Sequence, residues 1–277
     1  QIKELAKPGL YIHIPFCKQA CSYCNFYFST NQASVNSLSE AICYELSLKQ
    51  NFWHQRELNS IYFGGGTPSI LPKRNLHQIF NAITHNFQFD KDIEITFECN
   101  PDDITNENLG LWKSLGINRL SIGVQSFFDK DLKLMNCAHE SKNAVNAIEI
   151  AQKHGFDNLT IDIIYGIPGQ KEEELALNLS YLNKYDIPHF SAYALTVEPK
   201  THLAHQIKSG AISETPDDVF KAHFELIKDF STKNGYEHYE ISNFAKTGNR
   251  AIHNSNYWLG KPYIGVGPSA HSYNLKE

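Results

Sequence analysis

Three closely spaced cysteines carry the clearest chemical signal in the sequence. Cys17, Cys21 and Cys24 lie within one eight-residue segment, and three thiolates on one loop can hold three corners of an iron–sulfur cube. An ordinary ferredoxin-type site takes a fourth cysteine. None of the other three cysteines has suitable local spacing, although folding could bring one of them near; they are Cys43, Cys99 and Cys137. The pattern therefore predicts a cluster with one open iron that can bind an amine and a carboxylate. A zinc site or buried thiols are the alternatives, but the second ligand pair of most zinc sites is missing.

A run of glycines is the second signal. Gly64, Gly65 and Gly66 follow a strand-like apolar segment and precede Thr67. Without Cβ atoms, the backbone at such a run can approach a bound molecule closely. A tight turn from strand to helix also favours glycine, and the run lacks the Gly-x-Gly-x-x-Gly spacing of a dinucleotide site. Its position one strand after the cysteines makes it informative.

The elements that must position these residues alternate along the chain. Short apolar runs and amphipathic stretches follow one another, which is typical of βαβ units with a parallel sheet. The spacing predicts strands over residues 10–14, 60–63, 93–98, 119–123, 159–165, 190–195 and 237–241. A capping-box pattern that starts at Ser37 predicts a helix over residues 41–49, and Pro216 with two following acids predicts another that ends near Lys233.

Six or seven such units suit a full or partial barrel or a long open sheet, and periodicity does not separate these architectures. In each of them, ligands collect at the carboxyl ends of the strands. The cysteine loop and the glycine run follow the first two predicted strands, Glu98 ends the third, Gln125 follows the fourth and Asp162 lies in the fifth. The sequence therefore predicts one site at that end of the sheet.

Composition narrows the class of protein. The 277 residues are 42% hydrophobic and 20% charged, which favours a sizeable folded core. The net charge of −5 gives no general attraction for nucleic acid. No apolar run is long enough for a membrane span, and no secretory leader opens the chain, so a tight cysteine cluster predicts a metal or redox site in the cytoplasm. Because the chain begins at Gln1 and its one methionine is Met135, we expect it to be part of a longer product.

Five sequence blocks in a fixed order resemble the radical S-adenosylmethionine (SAM) superfamily. They are LYIHIPFC at 10–17, GGGTPS at 64–69, RLSIGVQSF at 119–127, DIIYGIPG at 162–169 and GVGPSAHSY at 265–273. Within the superfamily they are similar to the oxygen-independent coproporphyrinogen oxidases and the related heme chaperones of the HemW type. The resemblance implies an α/β fold, a partial (β/α)6 TIM-like barrel.

The resemblance also implies a role for each matching residue. Cys17, Cys21 and Cys24 would ligate a 4Fe-4S cluster, and SAM would chelate the open iron and lie along Gly65, Gly66 and Thr67. Further positions match residues that line the SAM site: Tyr11, Tyr23, Glu98, Gln125 and Asp162. The alternatives are that the tyrosines only pack and that the two acids cap neighbouring helices.

Two departures from the family pattern bear on function. Cys137 stands where the family commonly has an arginine, which in the oxidases contacts a second SAM, so a second SAM site is in doubt. Phe26 stands where the oxidases have one more cysteine. Both departures favour the chaperones over the oxidases.

Residues 253–258 are similar to the His-Asn-x-x-Tyr-Trp heme motif of the chaperones. An imidazole such as that of His253 is a natural axial ligand for heme iron, and Tyr257 and Trp258 could flank the macrocycle. The alternative is a surface histidine beside a packed aromatic pair.

The resemblance implies a heme chaperone that binds a 4Fe-4S cluster, SAM and heme and transfers heme to acceptor hemoproteins such as respiratory cytochromes. Cluster and SAM would then regulate heme transfer or oligomerisation, including formation of a homodimer, and no catalytic residue is assigned. The competing hypothesis is an enzyme of porphyrin biosynthesis, an oxygen-independent coproporphyrinogen III oxidase, in which a 5′-deoxyadenosyl radical starts propionate decarboxylation. A radical enzyme with an unrelated substrate is a third hypothesis, because fold does not fix function.

The predicted domain organisation has two parts. Residues 1–245 form the radical SAM core, and residues 246–277 form a post-barrel segment that carries the heme-like motif. Family members continue into a carboxyl-terminal helical domain, so we expect that domain to be absent or truncated here.

Overall fold

A single nine-stranded sheet organises the chain in the computed structural model, which describes residues 6–53 and 56–275. Its order is β7-β8-β6-β5-β4-β3-β2-β1-β9, so the first six strands lie side by side in sequence order. These six strands are all parallel. The strands are β1 (Gly9–Ile14), β2 (Ser60–Gly65), β3 (Glu94–Cys99), β4 (Arg119–Gln125), β5 (Leu159–Tyr165), β6 (His189–Ala194), β7 (Tyr236–His238), β8 (Asn243–Lys246) and β9 (Tyr263–Val266).

At least one helix follows each of the six parallel strands, as the alternating pattern predicts. The helices are α1 (Val35–Lys49), α2 (Lys73–Asn86), α3 (Asn106–Ser114), α4 (Asp129–Leu134), α5 (Ser141–Lys153), α6 (Glu172–Lys184), α7 (His202–Lys208), α8 (Asp217–Lys233) and α9 (Ile252–Trp258). No helix among the described residues is long and apolar enough to span a lipid bilayer.

The two faces of the parallel sheet differ in chemistry. Side chains alternate between the faces of a strand, and one face carries fully buried apolar residues that join the core cluster, such as Leu10, Ile61, Phe97 and Ile161. The other face, here called the polar face, has Tyr11 level with Tyr62, Tyr62 with Thr96, and Thr96 with Arg119. Parallel sheets are usually apolar on both faces, so a polar face indicates a surface kept for ligands.

Most predicted strands are confirmed to within two residues, and two short strands were not predicted. The predicted capping box at Ser37 is wrong. Helix α1 begins at Val35, and the Ser37 hydroxyl donates to the Ser34 carbonyl oxygen within the first turn (3.0 Å).

The segment after residue 245 is part of the same sheet. Strand β9 pairs with β1 in parallel, with Gly9 level with Tyr263, and α9 lies against the start of β2. The predicted boundary at residue 245 therefore separates residues that the structure joins in one sheet. As a domain boundary it stays a prediction.

Candidate functional site

The cysteine loop leaves β1 at its carboxyl end. The Cys17 amide donates to the Ser29 carbonyl oxygen (3.0 Å) and the Cys24 amide to that of Cys21 (3.3 Å), which closes the loop on itself. All three thiols are free and half-buried. Burial raises the pKa of Cys17 to about 11 and also raises the pKa of Cys24. Without a bound cation, these two groups are therefore neutral thiols near pH 7.

The three cysteines lie close together on one loop. Among residues 6–53 and 56–275, no three His, Cys, Asp or Glu side chains are arranged to hold one metal ion. A cube presents its irons at separate corners, so its thiolates need not converge on one point. Cys17, Cys21 and Cys24 are close enough to interact electrostatically and belong to one loop, as three corners of a cube require.

The glycine run lies against the cysteine loop. The Gly66 amide donates to the Ile14 carbonyl oxygen (2.8 Å), and the Thr67 amide donates to that of Phe16 (2.7 Å). A Cβ at Gly66 would lie 2.7 Å from the Phe16 carbonyl oxygen and 3.0 Å from the Cys17 sulfur.

Gly65 meets a further restriction. Its φ is +112°, and a Cβ there would lie 2.7 Å from the His13 ring. The absent side chains at Gly65 and Gly66 thus make room for β1 and the cysteine loop, and the two segments are fixed to each other. The sequence predicted instead that a ligand would occupy the space beside these glycines.

Glu98 organises the polar face beside this loop. Its Oε1 accepts from the Tyr62 hydroxyl (2.7 Å), and its Oε2 accepts from the Gly65 amide (3.1 Å). Burial raises the pKa of Glu98 to about 7, although both hydrogen bonds act in the opposite direction. Burial also raises the pKa of Asp162 to about 6. Two carboxyl groups at this depth can change protonation near neutral pH.

Gln125 lies at an irregularity at the end of its strand. The β4–β5 register shifts between Ile122 and Gln125, and Gln125 has a φ of +65°. A bulge of this kind redirects a side chain at the end of a strand. The motif placed Gln125 at the site, but the left-handed conformation that aims it was not predicted.

The two predicted tyrosines lie at different depths: Tyr23 is in the cysteine loop, whereas Tyr11 lies in the middle of β1 with its ring 6.3 Å from that of His253. His13 Nε2 donates to the Tyr27 carbonyl oxygen (3.1 Å), so its Nδ1 accepts from the Tyr11 hydroxyl (3.1 Å). Tyr23 is hydrogen-bonded to Cys21, and burial raises the pKa of Tyr23 above its usual value. His13 was not predicted as a site residue, because in the sequence it is one residue of an otherwise apolar strand.

Cys137 also lies at the cysteine loop. A hydrogen bond from Cys137 lowers the pKa of Cys21, and the same contact raises the pKa of Cys137. The cysteine that departs from the family pattern is therefore a direct neighbour of a predicted cluster ligand. We call Cys17, Cys21, Cys24, Gly65, Gly66, Thr67, Glu98, Gln125 and Asp162 the carboxyl-end site.

The heme-like motif lies at the opposite end of the strands. His253 contacts Ser60, the first residue of β2, and Glu94, the first residue of β3, accepts from the amides of Ile252 and His253 (2.9 Å each). The two groups of residues are linked across the polar face, because the Tyr62 hydroxyl donates to Glu98 (2.7 Å) and the Tyr62 ring lies 5.1 Å from that of His253. We call His253, Tyr257 and Trp258 the amino-end site.

His253 is closed off within this end. Its side chain is 2% exposed, Nδ1 lies 2.9 Å from the Ser60 hydroxyl, and Nε2 lies 2.9 Å from the Tyr257 hydroxyl. Ser60 donates its proton to Asn59 (3.1 Å), so His253 Nδ1 donates to Ser60 and Nε2 accepts from Tyr257. Burial, with a further contribution from Arg119, lowers the pKa of His253 to about 3. The imidazole is therefore neutral, and the Tyr257 hydroxyl covers its free lone pair.

The two aromatic residues of the motif differ: Trp258 faces outward, whereas the partly exposed ring of Tyr257 packs between His253 and Tyr263. Tyr257 is 41% exposed and Trp258 is 58% exposed, and the Trp258 indole donates to Glu240 (3.1 Å). The alternative of a surface histidine beside a packed aromatic pair is therefore wrong for His253, which is buried, and for Trp258, which is exposed, but Tyr257 does pack against other rings.

Comparisons with known proteins identify the family. A profile of the Radical SAM superfamily matches residues 11–182. The chain is 36% identical over 266 residues to "Heme chaperone HemW" of Bacillus subtilis (strain 168), covering 95% of this chain and 70% of the relative. It is 38% identical over 268 residues to the protein of the same name from Buchnera aphidicola subsp. Acyrthosiphon pisum, covering 95% and 69%.

The chain belongs to the radical SAM superfamily. Its curated relatives place it among the HemW proteins. The structure entitled "Coproporphyrinogen III oxidase (HemN) from Escherichia coli is a Radical SAM enzyme" superposes with a TM-score of 0.83 at 25% identity, over 97% of this chain and 65% of that chain. The predicted family and the predicted radical SAM α/β fold are confirmed, and the chain spans about two thirds of the length of that oxidase.

Proposed function

We propose that the chain is a heme chaperone of the HemW type. It binds a 4Fe-4S cluster and SAM at the carboxyl-end site and heme at the amino-end site, and it transfers heme to acceptor hemoproteins such as respiratory cytochromes. The observation that carries the proposal is the His253–Trp258 motif on α9, in a chain similar to HemW proteins over 95% of its length. A cytoplasmic location and a homodimer remain predictions of this assignment.

At the carboxyl-end site, Cys17, Cys21 and Cys24 would hold the cluster. A cluster with three cysteine ligands supplies one open iron position, which the amine and carboxylate of SAM can fill. The backbone of Gly65, Gly66 and Thr67 is held against the cysteine loop by hydrogen bonds to Ile14 and Phe16, so it can position the ligand. The Gly65 amide donates a hydrogen bond to Glu98 Oε2 (3.1 Å), which fixes the orientation of this amide.

At the amino-end site, His253 is the residue that would ligate heme iron. Its Nε2 already carries no proton, so the lone pair becomes available once the Tyr257 hydroxyl moves away. The exposed rings of Tyr257 and Trp258 offer apolar surface to a porphyrin. Heme uptake at this site therefore requires α9 to rearrange, and Tyr257 controls access to His253.

Two parallel assays on the reconstituted full chain test the proposal. Anaerobic protein should take up heme with a Soret band that weakens or shifts in His253→Ala. Tyr257→Phe keeps the ring but removes the covering hydroxyl. Because one hydrogen bond is worth about 1 kcal/mol, this variant should bind heme roughly fivefold more tightly or faster. Heme uptake that is the same in all three proteins would leave His253 without its role.

The second candidate function is coproporphyrinogen III oxidation, which the structural similarity to E. coli HemN favours. Phe26 and Cys137 stand against it, because the oxidases have cysteine and arginine at those positions. Reduced protein with SAM should leave coproporphyrinogen III unconverted. Robust formation of protoporphyrinogen would overturn the chaperone assignment.

A further inference from the structure

Cys137 has no role in the proposed function, yet it contacts Cys21. The two side chains share a hydrogen bond. Both are half-buried, so a small oxidant can reach them. The two residues are far apart in sequence, and the fold brings them together between the cysteine loop and the end of α4.

Several hydrogen bonds hold these two segments in place. The Gln19 side-chain amide donates to the Asn136 carbonyl oxygen (3.0 Å) and to Asn136 Oδ1 (2.8 Å). Asn136 Nδ2 donates to the Ala20 carbonyl oxygen (2.8 Å), and the Ser22 amide donates to that of Met135 (2.8 Å). The residues on both sides of Cys21 are thus tied to the residues before Cys137. Such fixation raises the effective concentration of one thiol at the other.

The other cysteines have different neighbours. The Cys43 thiol donates to the Gln78 carbonyl oxygen and the Cys99 thiol to that of Ser121, each at 3.6 Å. Cys17 is hydrogen-bonded to Thr67. Among the described residues, Cys21 and Cys137 are the cysteine pair for which the structure records a hydrogen bond between the thiols. Cys24 is the alternative disulfide partner for Cys21, because it lies only three residues away in the sequence.

We propose that Cys21 and Cys137 form a reversible disulfide when the cluster is absent. The oxidant is a small disulfide of the glutathione class. One cysteine thiolate attacks it and releases one small thiol, and the second cysteine displaces the other, so two protein thiols give one disulfide and two small thiols. The sulfur atoms need to move from hydrogen-bond contact to about 2.05 Å. A dithiol reductant reverses the reaction.

The consequence rests on the proposed role of Cys21 as a cluster ligand. A sulfur in a disulfide is not a thiolate and cannot hold iron. Oxidised protein would therefore be unable to accept a cluster until it is reduced. The cysteine that replaces the family arginine would make cluster loading sensitive to the thiol–disulfide balance of the cell.

The test treats cluster-free full-length chain with oxidised glutathione and counts free thiols after denaturation. The wild type should fall from six thiols to four, and peptide mapping should join Cys21 to Cys137. Cys137→Ser should lose thiols at least tenfold more slowly, whereas Cys43→Ser, the matched control, should react like the wild type. Oxidised wild type should then take less than a tenth of the normal cluster from a preassembled donor without added thiol, and dithiothreitol should restore uptake.

A mapped Cys21–Cys24 bond, or equal thiol loss in Cys137→Ser, would overturn the proposal. Failure of Cys137→Ser to load a cluster under reducing conditions would also overturn it, since Cys137 would then be a ligand. The thiol count needs no cluster. If the wild type could not be loaded with a cluster but peptide mapping found the Cys21–Cys137 bond, the proposed function would be contradicted and the proposed disulfide would be supported.

Discussion

The two ends of the parallel strands present their reactive groups in opposite ways. At the carboxyl-end site, Cys17, Cys21 and Cys24 are free and half-buried, and the glycine loop beside them is fixed by backbone hydrogen bonds. At the amino-end site, His253 is 2% exposed and both ring nitrogens are hydrogen-bonded. The thiols of one site are accessible as they stand. The other must open first.

In the proposed function one chain holds two iron-containing groups, and this difference would keep their ligands apart. Thiolates and imidazole are both iron ligands, but here the cysteines follow the carboxyl end of β1, and His253 contacts the first residue of β2. The protein separates the two chemistries by placing them at opposite ends of the same six strands. Substitutions of the cysteines should therefore leave His253 in place, whereas Tyr62, which hydrogen-bonds Glu98 and packs against His253, links the two sites.

The largest expected effect is the loss of the cluster when a cysteine of the carboxyl-end site is replaced. Cys17→Ala, Cys21→Ala or Cys24→Ala should reduce cluster content to background after anaerobic reconstitution, because each change removes one of three ligands. Iron and sulfide analysis, together with the broad visible absorbance, measures this. Cys43→Ala is the matched control and should load normally. A requirement for Cys99 equal to that for the three would mean that the cluster has a fourth protein ligand.

The next effect concerns the closed state of the amino-end site. A histidine titrates near pH 6.5 in an unfolded chain, whereas burial lowers the pKa of His253 to about 3. Between these values the unfolded chain binds more protons, so the free energy of unfolding falls as the pH falls, by up to about 1.4 kcal/mol per pH unit. His253→Gln lacks this contribution.

Urea denaturation between pH 7 and pH 4 checks that sign. The stability advantage of wild type over His253→Gln should shrink as the pH falls. Parallel curves for the two proteins would show that His253 is not buried in its neutral form.

A smaller effect sharpens the description of the carboxyl-end site. Glu98→Gln has one acceptor oxygen in place of two, so it cannot accept from both Gly65 and Tyr62 as Glu98 does. The variant would lose the charged hydrogen bond between the Gly65 amide and the Glu98 carboxylate, which is worth about 1.5 kcal/mol. SAM binding should then weaken roughly tenfold, and cluster content should stay unchanged. Isothermal titration measures the affinity, and Glu107→Gln on α3 serves as the control.

The same residue predicts a pH dependence. Because the pKa of Glu98 is about 7, its carboxylate gains a proton as the pH falls through that value and loses acceptor capacity. SAM affinity in the wild type should therefore decrease from pH 8 to pH 6. The decrease should be absent in Glu98→Gln, and an identical pH profile in both proteins would assign it to another group.

The smallest effect lies at the outer surface of α9. Trp258 is exposed, and its indole donates to Glu240. Trp258→Phe keeps an aromatic ring of smaller area, so heme affinity should fall by about two- to threefold, consistent with an aromatic contact of about 0.5 kcal/mol. Spectrophotometric heme titration measures this, and an effect as large as that of His253→Ala would move the main heme contact to Trp258.

Much of this arrangement could be predicted from the sequence, because strands and motifs leave local patterns. Strand β5 was predicted at its observed bounds, since Leu159–Tyr165 is a continuous apolar run broken by one acid. Strand β9 was not predicted, because its four residues include Gly265 and gain their order only by pairing with β1. The start of α1 was placed too late because a capping pattern also occurs inside the first turn of a helix.

Long-range contacts account for the rest. Nothing local to His253 shows that Ser60 is hydrogen-bonded to its Nδ1, and nothing near Cys137 shows that Cys21 is its neighbour. The room at Gly65 was assigned to a ligand, although the His13 ring lies at that position. Each depends on which residues the sheet brings together.

Heme titration of two variants tests the central claim, that cluster and heme belong to opposite ends of the strands. Cluster-free Cys17→Ala/Cys21→Ala/Cys24→Ala protein should still bind heme with a Soret band like that of the wild type. His253→Ala should load its cluster normally and lose or shift that band. Heme binding that disappears with the three cysteines and survives in His253→Ala would place the heme at the cysteine loop and contradict the account.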